Sequence, residues 1–199
     1  MKNKFKMIFN FRWLNLLFVF VLFIGGCGTT GDIQETTLTI RKNGQVTHRM
    51  VDYLDKDYYD YNELLEMVQR EVESFEQGGV SFKDSHWSAD GSNRVMIQLS
   101  FSDCDVYSAF SQELLFYGTV AEALDRKIIG NVMFTHGEDG TSLSETDLLQ
   151  MSNSKILITD VKALIECPGN PNYYSPGIVV REDGIVDTSN SEGRMYAVY

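Results

Sequence analysis

Val95, Ile97, Leu99 and Phe101 recur at every second position, the period of a strand that buries one face. Residues 80–89 precede this stretch across Asp90-Gly91-Ser92, so the two segments are expected to pair as a hairpin. An earlier hairpin is expected from residues 37–41 and 46–51 around Lys42-Asn43-Gly44. A two-residue turn would set Ile40 opposite Thr47 and mix the faces. A three-residue loop with Gly44 in the left-handed region is expected instead, with Leu38 opposite Met50 and Ile40 opposite His48. His48 then reads as a partly buried sheet residue rather than a ligand.

Between and after the hairpins the period changes to that of helices. Asp60 with Glu63 makes a capping box, and Leu64, Val68, Val72 and Phe75, widened by Tyr61 and Leu65, form an apolar stripe that Gly78-Gly79 ends. Ser102 with Asp105 and Thr119 with Glu122 mark two further helix starts. The first should bury Val106, Ala109, Phe110 and Leu114, the second Ala121, Leu124 and Ile128. From Gly130 the pattern turns to short strands at residues 132–135, 155–159, 161–166, 178–181, 185–188 and 195–198, separated by Gly, Pro and Asp turns. Ser144 and Asp147 could cap one more helical turn. The expected fold class is α+β, mainly antiparallel sheet with about three helices, preceded by an N-terminal signal-peptide helix.

That leading segment has its own pattern. Lys2, Lys4, Lys6 and Arg12 precede an apolar run that begins near Trp13 and ends in Ile24-Gly25-Gly26-Cys27. The run is short for a membrane span. An apolar core of this length, closed by small residues before a cysteine, resembles the lipobox of bacterial lipoprotein precursors. The resemblance implies that the Cys27 thiol receives a diacylglyceryl group and that cleavage after Gly26 leaves Cys27 as the N-terminus. Two or more acyl chains suffice for stable anchoring, at about 0.8 kcal/mol per buried CH₂. Residues 27–36 read as a flexible tether, and residues 37–199 as a single extracytoplasmic domain.

Charge narrows the partners. Four of the 17 basic residues and none of the 28 acidic ones lie in residues 1–26, leaving 13 against 28 and a net charge of −15. Such a surface repels nucleic acid and anionic headgroups. Contact with the membrane is therefore expected through the lipid on Cys27 alone, and no nucleic-acid partner is expected. Once Cys27 is acylated, Cys104 and Cys167 remain, and outside the cytoplasm they could pair. Their disulfide would close a loop of about 60 residues, for which chain entropy gives roughly 4 kcal/mol.

The motifs of common enzyme chemistry are missing. His48, His86 and His136 give no H-E-x-x-H, and there is neither G-x-S-x-G nor a P-loop. Cys104 sits between Asp103 and Asp105, which disfavours its thiolate. Asp55, Asp57 and Asp60 lack calcium-loop spacing, although the tyrosines around them could form an aromatic platform for a glycan. A zinc site from His136, Glu138 and a cysteine would depend on folding to bring them together. No catalytic residue, metal or cofactor is therefore assigned.

The blocks TLTIRKNGQVTHRMV, DYYDYNELLEMV and YSAFSQELLFYGTVAEAL resemble a group of small lipoproteins of Firmicutes, gut clostridia in particular, whose activity is uncharacterised. The resemblance implies the host class and the anchored topology and supplies no catalytic residues. The expected function is a lipid-anchored, non-catalytic binding or interaction module on the outer face of the cell membrane, with an envelope protein or cell-wall component as its partner. The alternatives are a small envelope hydrolase using acidic residues, or a solute-binding accessory protein.

Overall fold

The computed structural model describes residues 35–199 apart from Asp57, Ala89, Asp90, Asn131 and Glu138; the signal-peptide segment, Gly26 and Cys27 lie outside the described residues. Four N-terminal strands, β1 (Thr37–Ile40), β2 (Val46–Tyr53), β3 (Val80–Trp87) and β4 (Arg94–Phe101), come first, with helix α1 (Tyr61–Ser74) between β2 and β3 in the chain. Helix α2 (Cys104–Ser111), strand β5 (Leu115–Thr119) and helix α3 (Val120–Asp125) follow. Strands β6 (Phe134–His136) and β7 (Ser142–Leu143) lead to helix α4 (Glu145–Gln150). The chain ends in β8 (Lys155–Thr159), β9 (Leu164–Glu166), β10 (Tyr173–Tyr174), β11 (Val179–Val180), β12 (Val186–Asp187) and β13 (Met195–Val198). The fold is α+β, as the periodicities predict.

These strands form two sheets. The first runs β11-β12-β9-β1-β2-β4-β3 and the second β5-β8-β13-β10-β6-β7. The described strand pairs are antiparallel except β1 with β9, where Leu38 lies beside Ile165. One face of the first sheet carries Leu38, Ile40, Val46, Val95, Ile97, Leu99, Phe101 and Ile165, all buried. They form one core with Tyr107 of α2 and with Leu115, Leu157, Met195 and Ala197 of the second sheet. The opposite face of the second sheet buries Phe116, Ile156, Ile158, Tyr196 and Val198 with Val120 and Ala123 of α3 and Leu148 of α4.

Local signals place the helix starts. Asp60 caps α1, its carboxylate accepting from Asn62 N at 2.8 Å and Glu63 N at 3.0 Å. Thr119 with Glu122 and Ser144 with Asp147 form complete capping boxes for α3 and α4. The cap of α2 is Asp103 rather than Ser102, because the Asp103 carboxylate is the one that reaches Val106 N, at 2.8 Å. Ser102 instead donates to Asp103. The buried face of α3 is Val120 and Ala123, whereas Ala121 is exposed.

The first hairpin corrects the expected register. Gly44 has φ of 85° in a three-residue loop, as expected, but Gly44 N bonds to Arg41 O and Arg41 N to Gln45 O, closing the loop on Arg41 and Gln45. Leu38 therefore pairs with His48 and Ile40 with Val46. The offset of two residues preserves the faces, which leaves His48 on the apolar side and buried rather than at its margin.

One buried hydroxyl ties the C-terminal turn after β12 to the segment before β9. Fully buried Thr188 lies with Oγ1 2.7 Å from Val161 O and 2.9 Å from Ala163 O, and accepts from Ala163 N at 3.1 Å. Thr188→Val keeps the shape and leaves Ala163 N–H unpaired. It should cost about 1–3 kcal/mol in unfolding free energy by urea titration, and a variant as stable as the parent would contradict this role.

Candidate functional site

Two groups of side chains stand out once the sheets are formed, an exposed aromatic corner and a buried polar pair. The corner lies at one end of the first sheet. Strand β3 is its edge, and pairing is offset between Phe82 and Asp84, a bulge that re-aims the last residues of the strand. Beyond it, Ser85 and Trp87 meet α1. The Tyr61 hydroxyl is 2.9 Å from Ser85 Oγ, and the Tyr61 and Trp87 rings stack at 5.7 Å with planes 28° apart. Trp87 remains 48% exposed, and Tyr58, edge-on to Tyr59 at 4.8 Å, is 76% exposed. Helix α1 contributes no fully buried side chain, so its apolar stripe of Leu64, Leu65, Val68 and Val72 is only half covered by the core.

Acids surround this corner. Asp55 is paired with Lys56 at 3.0 Å, and Asp60 is engaged as the α1 cap. Asp52, level with Val95 and so with Trp87, is partly buried; burial raises its carboxyl pKa against the lowering effect of the Tyr53 N–H. The calcium-loop reading of Asp55, Asp57 and Asp60 is not assembled by the described residues, since two of the acids are otherwise engaged and Asp57 is not described.

The buried pair lies deeper. His48 on β2 meets Tyr107 on α2 edge-on, with ring centroids 5.4 Å apart, and Tyr107 also packs on Phe101 at 5.0 Å. His48 Nε2 is buried without a hydrogen-bond partner among the described residues, and the buried Tyr107 hydroxyl has the Ser111 and Glu113 side chains beside it. Burial lowers the His48 pKa to about 4. Burial also pushes the Tyr107 phenol up, reinforced by the charge of Glu113, whose own carboxyl is raised by burial and then by Asp160.

The other candidate residues are dispersed. His86 is exposed on β3. His136 Nδ1 lies 3.0 Å from Asp139 Oδ1, and its ring meets Tyr173 at 4.9 Å. Asp139 is held below the usual carboxylate range, first by the Thr141 hydroxyl at 2.6 Å and then by Thr141 N at 2.9 Å. No group of three His, Cys, Asp or Glu fit to hold a metal occurs among the described residues, and Glu138 is not described. Cys104 and Cys167 are free thiols against the first core. Burial raises each pKa to about 12, so neither is poised as a nucleophile. The Tyr199 hydroxyl is buried beside the Cys167 thiol, while Tyr117 donates to Pro168 O at 2.9 Å.

Two measurements follow from these environments. A histidine whose folded pKa lies below its ordinary 6.5 lends stability above that pH and loses it as pH falls towards about 4. The parent should lose up to roughly 1.4 kcal/mol per pH unit across this window beyond what His48→Gln loses, by urea titration at each pH; equal slopes would contradict the assignment. Cys104 and Cys167 should label slowly with a thiol reagent at pH 8 in the folded protein and rapidly in urea; immediate labelling of the native state would contradict their burial.

No protein-family model matches this chain, and comparison with curated proteins and with solved structures gave no significant match.

Proposed function

We propose that this chain is the precursor of a lipid-anchored extracytoplasmic lipoprotein. In this reading its α+β head is a non-catalytic module that binds or organises a component of the cell envelope at the outer face of the membrane. The observation that carries the reading is Ile24-Gly25-Gly26-Cys27 closing the apolar run, with four basic residues and no acid before it. The short polar stretch after Cys27 and the acidic excess of the remainder agree with a head displayed outside the membrane. Among the described residues no helix is long and apolar enough to cross a membrane.

The binding reading draws support from the aromatic corner, since a half-exposed stacked tryptophan is surface suited to recognition. The raised thiol pKa values favour structural over catalytic roles for Cys104 and Cys167.

Expression in a bacterium with lipoprotein processing, followed by mass spectrometry of the N-terminal peptide, tests the placement. The expected peptide begins at Cys27 and carries the mass of a diacylglyceryl group, while Cys27→Ala abolishes both the modification and the cleavage. Recovery of an unacylated chain from the cytosol with residues 1–26 intact would overturn the proposal.

A further inference from the structure

The strand register fixes which end of the first sheet the tether enters. β1 begins at Thr37, and Thr36 is tied to its neighbours there, its carbonyl accepting from Leu164 N and its hydroxyl from Val51 N. β2 is antiparallel to β1, so the end nearest Thr36 is the one where β2 finishes at Tyr53. Tyr53 pairs with Arg94 at the start of β4, and Val95 pairs with Trp87 at the finish of β3. The aromatic corner and the point of chain entry therefore share one end of the sheet. Three strand spacings separate β1 from β3, about 14 Å. Seven residues lie between Cys27 and Glu35, so the eight steps from one to the other reach at most about 28 Å.

We propose that Tyr58 and Trp87 form a contact with the bilayer surface that orients the anchored head, aromatic corner downward, on the lipid that holds it. The inference rests on the lipid anchor proposed above and adds a second, non-covalent contact. Tryptophan and tyrosine are the side chains that settle at the headgroup level, because each joins an apolar ring to a polar N–H or O–H. The acids at this end are partly neutralised. Arg181 holds Glu35 at 3.3 Å and Asp187 at 2.8 Å, and Lys56 holds Asp55 at 3.0 Å. The anchor keeps the corner near the membrane at an effective concentration of about millimolar, so a weak contact is enough. This amends the expectation of contact through the lipid alone.

The test uses a property of the sequence. Of the two tryptophans, Trp13 is removed with the signal peptide, so Trp87 is the only one in the mature protein. Acylated mature protein is reconstituted into phosphatidylcholine vesicles whose acyl chains carry bromine near the carbonyl end, near the methyl end, or nowhere, and is checked by flotation. Trp87 emission should shift to the blue and lose most intensity with shallow bromine and less with deep bromine. Tyr58→Ser should reduce the quenching. Protein that floats with the vesicles but shows emission indifferent to bromine overturns the proposal and leaves the anchor standing. A blue shift without quenching, as when a second protein molecule covers the corner, overturns it equally. Failure to float refutes the anchor itself, and the contact that rests on it.

Discussion

The pairing of β1 with β9 is the joint on which the two halves of the chain depend. Thr37 to Thr39 lie parallel to Leu164 to Glu166, so a strand from the start of the head is inserted between its own hairpin partner and the C-terminal half. The contact joins residues 127 apart, and the Thr39 hydroxyl spans the same interval to Glu166 at 3.1 Å. Without it the first sheet would divide into a four-stranded β1-β2-β4-β3 sheet and a short β9-β12-β11 remnant. The joined face buries Leu38 and Ile165 side by side, both fully covered. Such long-range pairing must overcome loop-closure entropy before burial rewards it, so it forms late unless hydrophobic burial draws the halves together.

What could be read from the sequence was local. Asp60, Thr119 and Ser144 announce helix starts because a cap is settled within three residues, and the clean alternation of β4 needs only one buried face. β5 escaped notice because it lies between two helices and its five residues carry no clean alternation. β7 and β10 are two-residue strands that exist only through their partners. The register of the first hairpin was misjudged because apolar matching cannot distinguish offsets of two, which keep every residue on its face. The pairing of Tyr61 with Trp87 was not legible, since it depends on the β3 bulge and on how α1 returns across the sheet. Cys27 is read from sequence alone.

His48 shows what burial costs when polarity has no partner. Its Nε2 is orphaned in the first core, a cost of about 1–3 kcal/mol, whereas the Tyr107 hydroxyl has the Ser111 and Glu113 side chains alongside. What they gain is packing: Tyr107 touches both His48 and Phe101 edge-on, fixing α2 over the sheet in one orientation. Phe110 on the same helix adds a second contact to Phe101 at 5.7 Å, and Ser108 Oγ, accepting from Leu115 N at 2.8 Å, ties the helix to β5. A helix held in this way is sensitive to any charge placed beneath it.

An aromatic surface directed at a membrane and a head of net negative charge are compatible because electrostatic repulsion is local. At physiological ionic strength it decays over about 8 Å. The eight residues of β2 alone span about 27 Å, so charge at the far end of that strand lies more than three screening lengths from the corner. What governs approach at the near end is the charge found there, where Arg181 and Lys56 each hold carboxylates in ion pairs.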